Sequence, residues 1–262
     1  MGSFKIIMIR FLCLFDKPKK KFVLTNRYII RDGVRLYRIK CIKSFGKVEK
    51  GEYGGYIEAE YNLSQRGFAW VYDGACVYGN AQLLGNASVC DNACVFGNAK
   101  VCDNAKVFDN AYVSGHAIIG DCAKVYGNAG VYDNARVYDN ACVSGNACIS
   151  GNACVSGEAK ICGCANVMGF AEIFGDARVF GDARISCNAY IENNSQHYGF
   201  DCFILKNNHV HVYLTKDKKI EITCGGFCGG IEAFEKIAKE TGYENHLQEI
   251  IAIIKKRFGL DG

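Results

Sequence analysis

The stretch Val71-Tyr72-Asp73-Gly74-Ala75-Cys76, followed by Val77-Tyr78-Gly79-Asn80-Ala81-Gln82, opens an array of six-residue units. It continues without a break to Ile185-Ser186-Cys187-Asn188-Ala189-Tyr190. An aliphatic residue fills the first position of all twenty units, and alanine fills the fifth position of all twenty. A repeat this regular predicts a solenoid, in which each unit contacts mainly its neighbours.

The constant positions predict the shape of each unit. The alanine and the next aliphatic residue are two positions apart, so on a four-residue strand they share one buried face. The third position is Gly in twelve units or Asp in seven, and the fourth is Asn in twelve. Because Gly and Asn tolerate positive φ, these positions predict a corner after each strand. Three sides close a triangular coil, and the array makes between six and seven stacked coils, roughly 30 Å in length.

This array resembles the hexapeptide-repeat proteins, whose aliphatic-x-x-x-small-x signature it carries over about half of the chain. The entry segment Gly51-Glu52-Tyr53-Gly54-Gly55-Tyr56-Ile57-Glu58, the step Asn62-Leu63-Ser64 and the Asn-Ala hexads are similar to uncharacterised phage and prophage proteins and to YdcK-like proteins classed with acyltransferases. The resemblance implies an all-β fold, a left-handed parallel β-helix, and association into a homotrimer.

We expect four segments: a basic and apolar leader at 1–21, an amino-terminal β cap at 22–70, the β-helix at 71–192, and a small α+β carboxyl-terminal cap at 193–262. In the first cap, an Asp32-Gly33 turn between 28–31 and 34–42 predicts a β-hairpin. A degenerate first coil is expected to begin near Ala59. In the second cap we expect strands at 203–205, 210–214 and 220–222, a flexible junction at 224–230, and helices at 231–241 and 244–258 that form a lid on the last coil.

Composition narrows the environment of the protein. The apolar part of the leader is too short to span a membrane, and its basic run follows the apolar stretch, the reverse of a signal peptide. We therefore expect no stable membrane insertion and a location in the cytoplasm of a bacterial host cell. Eleven of the sixteen cysteines lie in the hexads, which favours reduced thiols that serve as small strand residues.

Charge and aromatic patterning suggest binding surfaces. Residues 1–70 carry a net charge of +9, whereas the hexads carry −4 and residues 191–262 carry −1. The basic cap predicts an acidic protein partner from host or phage, with nucleic acid as an alternative. On the array, residues eighteen apart should stack in columns, one basic and one aromatic, with turn aspartates such as Asp91, Asp103 and Asp109 close enough to neutralise the cations. The predicted binding residues are Arg31, Arg35, Arg38, Lys40 and Lys43 in the cap, Lys106, Lys124, Lys160 and Arg178 in the basic column, and Tyr72, Phe108, Tyr126 and Phe180 in the aromatic column.

A second face also carries aromatic residues, including Tyr78 and Phe96. Such aromatic columns suit burial against another protein, and we expect an interface on at least one face. The basic and aromatic columns together also suit a nucleotide or a single strand, through phosphate contact and stacking.

Catalytic signals are weaker. The acyltransferase resemblance implies a histidine base, usually on a loop that interrupts the repeat, and acyl-CoA bound between subunits. The only histidine of the array, His116, replaces Asn in a corner, and we interpret it as structural, with a general base as the alternative. His197 and His246 stand alone, and Cys224, Cys228, His209 and His211 make a poor zinc set, so no metal or cofactor is expected.

We therefore interpret the chain as a non-enzymatic protein-binding scaffold of phage or prophage origin, with inhibition of a host defence system, such as an anti-CRISPR activity, as one form. An acyl-CoA-dependent acyltransferase and a nucleotide or nucleic-acid binder are the alternatives.

Overall fold

The computed structural model describes residues 20–202, 208–224, 227–240 and 244–259, and in them the hexads form one continuous parallel β-solenoid. The prediction for residues 1–19 lies outside the described residues. Each hexad contributes a two-residue strand made of its last residue and the next aliphatic residue, shorter than the four residues expected because the corners begin at once. The solenoid strands are β4 Trp70–Val71, β5 Cys76–Val77, β6 Gln82–Leu83, β7 Ser88–Val89, β8 Cys94–Val95, β9 Lys100–Val101, β10 Lys106–Val107, β11 Tyr112–Val113, β12 Ile118–Ile119, β13 Lys124–Val125, β14 Gly130–Val131, β15 Arg136–Val137, β16 Cys142–Val143, β17 Cys148–Ile149, β18 Cys154–Val155, β19 Lys160–Ile161, β20 Asn166–Val167, β21 Glu172–Ile173, β22 Arg178–Val179, β23 Arg184–Ile185 and β24 Tyr190–Ile191.

Strands eighteen residues apart pair in parallel, as in Lys106 with Lys124 and Val107 with Val125. The strands divide into three sheets, one on each side of the coil, which confirms the predicted triangular stack. The degenerate first coil is also present. It begins at Tyr56, which pairs in parallel with Cys76, and continues through a bridge from Leu63 to Leu83.

The alanine and the aliphatic residue of every hexad are buried, and together they form the core of the solenoid. Burial of one Val or Ile side chain contributes about 1.5–3 kcal/mol relative to exposure. The two constant positions of the repeat therefore supply most of the apolar contact that holds the coils together.

The corners differ from expectation in one respect. In all twenty hexads the third residue, not Asn, has positive φ, between 48° and 72°. Asn instead links the coils through its side chain: Asn92 Nδ2 donates to Asn110 Oδ1 at 3.3 Å, and Asn110 donates to Asn128 at 3.3 Å. The third position sets the backbone turn, and the fourth position bonds one coil to the next.

The amino-terminal cap consists of β1 Phe22–Arg31, β2 Val34–Cys41 and β3 Tyr53–Ile57, with a 3₁₀ turn at Glu60–Asn62. The Asp32-Gly33 hairpin is confirmed. This cap closes the first coil: the rings of Phe22 and Phe45 pack edge-on against the buried Trp70. The ammonium of Lys21 donates to backbone carbonyls of the same coil, including that of Ala69 at 2.8 Å.

The carboxyl-terminal cap follows a 3₁₀ turn at Asn194–Gln196. It comprises an antiparallel sheet of β25 His197–Cys202, β26 Asn208–Leu214, β27 Ile220–Cys224 and β28 Phe227–Gly229, followed by α1 Ile231–Glu240 and α2 Glu244–Arg257. The expected strand at 203–205 lies outside the described residues. The expected flexible junction is wrong at 227–229, because these residues pair with β27.

The sheet, not the helices, covers the last coil. Alternate side chains of β26 point in opposite directions: Tyr213 joins the solenoid core, whereas Val210 and Val212 pack with Phe234 and Ile251 of the helices. The prediction of a helical lid is therefore wrong. One face of the cap sheet packs on the last coil, and the helices cover the opposite face of that sheet. Within the described ranges, no helix has the length and apolarity needed to cross a membrane.

Candidate functional site

A group of three cations surrounds the ring of Tyr53 in the amino-terminal cap. The charged groups of Arg27, Arg38 and Lys40 lie 5.0, 5.3 and 5.1 Å from the ring centroid, within the range of cation–π interaction. Among the described residues, none of these cations has a carboxylate within 4.0 Å. We call these four residues the Tyr53 cluster. It offers concentrated positive charge with no acidic partner of its own.

The structure divides the predicted cap residues into two groups. Arg38 and Lys40 belong to the Tyr53 cluster, whereas Arg35 lies 4.6 Å from the ring of Tyr28. Arg31 is turned toward Cys76, with its Nη1 3.6 Å from the sulfur, and Lys43 is exposed after the end of β2.

Arg27 and Tyr53 were missed by sequence reasoning. They come from the far strand of the hairpin and from β3, and only the antiparallel pairing of β1, β2 and β3 brings them beside Lys40. The Arg and Tyr content of residues 27–56 was the available signal.

The basic column is confirmed as a geometric feature. Lys106 pairs with Lys124, and Lys160 pairs with Arg178, all with exposed side chains on one sheet. The expected neutralisation by turn aspartates is not found among the described residues. Instead, the carboxylate of Asp109 accepts the backbone N–H of Gly127 at 2.9 Å, and other corner aspartates make the same bond to the next coil. Among the described residues, no aspartate carboxylate lies within 4.0 Å of a cation of the column.

The aromatic column is only partly stacked. Phe108 and Tyr126 are parallel, with ring centroids 4.8 Å apart, but Tyr72 packs against the core and Phe180 is 66 % exposed. The four rings therefore occupy three different environments. A continuous stacking platform does not form, because Cys90, Ser144 and Cys162 interrupt the column.

The second aromatic face is covered by the protein itself. Tyr78 and Phe96 stack at 5.1 Å and pack with Leu36 of the hairpin. The hydroxyl of Tyr78 donates to Asp32 at 2.7 Å, and burial together with this carboxylate raises the pKa of Tyr78. These two rings are therefore in contact with the hairpin of the same chain, and the predicted interface on at least one face of the solenoid stays a prediction for the other aromatic residues.

His116 lies in an exposed corner, with its Nε2 3.5 Å from Nδ2 of Asn98. It occupies the place that Asn takes in the neighbouring Asn–Asn pairs, which supports the interpretation of a structural corner. The residue with positive φ in this corner is Gly115, so His116 itself does not adopt the left-handed conformation.

Cys187 and Cys228 form a disulfide between the last coil and the cap sheet, which corrects the expectation of reduced thiols for this pair. Cys187 stands where the other corners have Gly or Asp, so the departure from the repeat pattern was the available signal. Glu221 lies close to both sulfurs, but sulfurs joined in a disulfide are not available as thiolate ligands for a metal. Among the other described cysteines, Cys41 and ten in the hexads have free thiols.

The prediction that His197 stands alone is wrong, because it pairs with His211. Their rings are stacked, with Nδ1 of His197 3.2 Å from Nε2 of His211. Burial lowers the pKa of His197, the nearby backbone of Arg178 partly offsets this shift, and the charge of Arg257 reinforces it. The pair forms because His197 begins β25 at the point opposite β26. The side chains of His209 and His246 are outside the described set.

The histidine pair, Arg178 and Phe180 line one cavity of about 440 Å³ between the last coils and the cap. Arg178 and Phe180, the last residues of the basic and aromatic columns, thus meet residues of the carboxyl-terminal cap. The Tyr53 cluster lies in the amino-terminal cap, at the other end of the solenoid.

Comparison with known proteins supports the repeat. Residues 130–145 match a family model described as the YdcK beta solenoid repeat. No significant match was found among curated proteins. The matched residues form three strands, one on each side of the coil, and the corners that join them.

Proposed function

We propose that this chain, a hexapeptide-repeat β-solenoid protein with a YdcK-like repeat, is a non-enzymatic scaffold that docks an acidic partner protein on the Tyr53 cluster. The observation that carries the proposal is the group of three cations around one ring without an ion pair among the described residues. A set of like charges costs free energy unless solvent or an opposite charge faces it, and an acidic surface would supply that charge.

The scaffold supports this role by holding the cluster in place. Arg38 Nε donates to the carbonyl of Gly54 at 3.1 Å, and β3 continues directly into the solenoid sheet. Arg38 and the strand that carries Tyr53 are therefore held relative to the solenoid before a partner arrives, which lowers the entropic cost of binding.

Origin and setting are finer parts of the proposal. The resemblance to phage and prophage proteins supports a role in the cytoplasm of a bacterial host and inhibition of a host defence protein as one form of docking. The resemblance to hexapeptide-repeat proteins supports association into a homotrimer. Light scattering of the purified chain would test the trimer, and a monomeric mass would contradict that part.

Affinity capture from bacterial lysate, with quantitative mass spectrometry, tests the docking site. The variant Arg27→Glu with Lys40→Glu should lose a specific partner, because two of the three charges of the cluster are reversed while the bond from Arg38 to Gly54 is kept. The matched control, Lys106→Glu with Lys124→Glu, makes the same change of charge on the basic column and should retain the partner. Equal capture by both double variants would refute the Tyr53 cluster as the site.

Two further arms separate the alternatives. Nuclease treatment that abolishes capture would show that nucleic acid, not protein, is bound. Transfer from acetyl-CoA that disappears in His116→Ala would show an acyltransferase and contradict the non-enzymatic role.

A further inference from the structure

The cavity between the last coils and the carboxyl-terminal cap contains two arginines that come from distant parts of the chain. Arg178 is in β22 of the solenoid, and Arg257 is the last residue of α2. Both side chains are exposed, and among the described residues neither has a carboxylate within 4.0 Å. Asp182 also lines the cavity, so its charged residues sum to one net positive charge.

The position of Arg257 alone would not indicate a ligand. Cations at a helix C-terminus interact favourably with the helix dipole, and Lys255 and Lys256 share that location. The guanidinium of Arg257, however, lies 4.8 Å from the ring centroid of Tyr198, another residue that lines the cavity. This contact holds the cation at the cavity, where it converges with Arg178.

The histidine pair, His197 and His211, forms part of the cavity wall. His197 is only 9 % exposed, and its ring contacts His211 and the backbone of Arg178. An anion above the pair would favour the protonated form of His197 and so oppose the lowering of its pKa by burial.

Phe180 adds an apolar surface at the edge of the same cavity. Its ring lines the cavity and is 66 % exposed, so the cap does not bury it. A flat, exposed ring beside two arginines matches the two chemical parts of a nucleotide, since aromatic side chains stack on bases and guanidinium groups bind phosphate through paired hydrogen bonds.

A second cavity at the same end shows what a self-neutralised surface looks like. This cavity, of about 530 Å³, is lined by Lys216, Glu172 and Glu221 among others. Lys216 lies 3.5 Å from the carboxylate of Glu172, so its charge already has a partner. The two arginines of the smaller cavity, in contrast, have no such carboxylate partner among the described residues.

We propose that the cavity bounded by Arg178, Arg257, His197 and Phe180 binds a phosphorylated small molecule that carries an aromatic base, the chemistry of a nucleotide. The arginines hold the phosphate and Phe180 stacks on the base. The site is at the opposite end of the solenoid from the Tyr53 cluster, and it is independent of the docking function proposed above.

Isothermal titration of the full chain with ADP, inorganic phosphate and adenosine tests this site. We expect ADP to bind more tightly than phosphate or adenosine. Arg178→Gln and Arg257→Gln should each weaken ADP about tenfold to a hundredfold, as expected for loss of a charge-assisted hydrogen bond. Phe180→Ala should weaken ADP while leaving phosphate unchanged.

Lys216→Gln, in the larger cavity, is the matched control and should bind ADP like the parent chain. Absence of ADP binding to the parent chain would overturn the proposal, and so would equal loss in the Lys216→Gln control. Phosphate binding without additional affinity for ADP would overturn the identification of the base. Chemical shifts of the His197 ring provide a second readout: they should move with ADP in the parent chain and not in Arg178→Gln.

Discussion

Substitution of Asp121 separates the two tasks of the corner residue. Its φ is 52°, its carboxylate accepts the backbone N–H of Asp139 at 3.2 Å, and its side chain is exposed. Alanine at this φ costs about 1 kcal/mol relative to Asp or Gly, which tolerate the left-handed region. Loss of the exposed hydrogen bond costs about 1 kcal/mol more. We therefore expect Asp121→Ala to lose about 2 kcal/mol of unfolding free energy and Asp121→Gly about 1 kcal/mol.

Thermal unfolding followed by circular dichroism measures this difference. For a protein of this size, 1 kcal/mol corresponds to about 2–4 °C in Tm, so the alanine variant should melt about 4–8 °C below the parent and the glycine variant about 2–4 °C below it. Because Asp already has a Cβ, alanine introduces no new clash, and the comparison isolates backbone conformation. If the alanine and glycine variants have equal Tm, positive φ at the corner does not limit stability, and our account of the repeat is refuted.

Three other predictions concern the ends of the solenoid. Lys21→Met should lower unfolding free energy by about 1–3 kcal/mol in urea titration, because it leaves buried carbonyls of the first coil without a donor, whereas Lys20→Met, which removes only an exposed ion pair, should cost less than about 1 kcal/mol. Cys228→Ser should lower the unfolding free energy by about 4 kcal/mol, the chain-entropy value for a disulfide that spans 41 residues. Hydrogen exchange in the cap should also become faster. Cys142→Ser, at a free cysteine, should change neither the unfolding free energy nor the exchange rate. The pKa of His197 is lowered on folding, so the unfolded chain binds a proton at this ring more readily than the folded chain does. The unfolding free energy should therefore fall as pH falls below about 6.5. His197→Asn should flatten that part of the pH profile, and an unchanged slope would contradict the assignment.

The solenoid could be predicted from local pattern because each hexad repeats the same local conditions. The alanine and aliphatic positions fix which side chains are buried, and eighteen residues per coil fix which strands pair. The choice between Asp91 and Asn92 as the positive-φ residue was less clear, since both types tolerate that conformation. Only the hydrogen bonds between coils, which involve both side chains, decide their roles.

The ends could be predicted less well because they depend on contacts between distant residues. Nothing near Tyr78 in the sequence indicates that Leu36 will cover it, so its ring looked like part of an interface. The pairing of His197 with His211 requires the antiparallel register of β25 and β26. The cavity requires Arg257, which is far from Arg178 in the sequence and reaches it only through the folded cap.

The pairing of residues eighteen apart also restricts how this protein can change length. An insertion of one complete coil would move the two caps apart by about 4.8 Å and keep both on their present sides of the triangle. An insertion of a single hexad preserves every local rule of the repeat, yet it shifts everything that follows by one side, a rotation of about one third of a turn. Viable insertions and deletions within the array should therefore come in multiples of eighteen residues wherever the Tyr53 cluster and the nucleotide cavity must face fixed directions relative to each other.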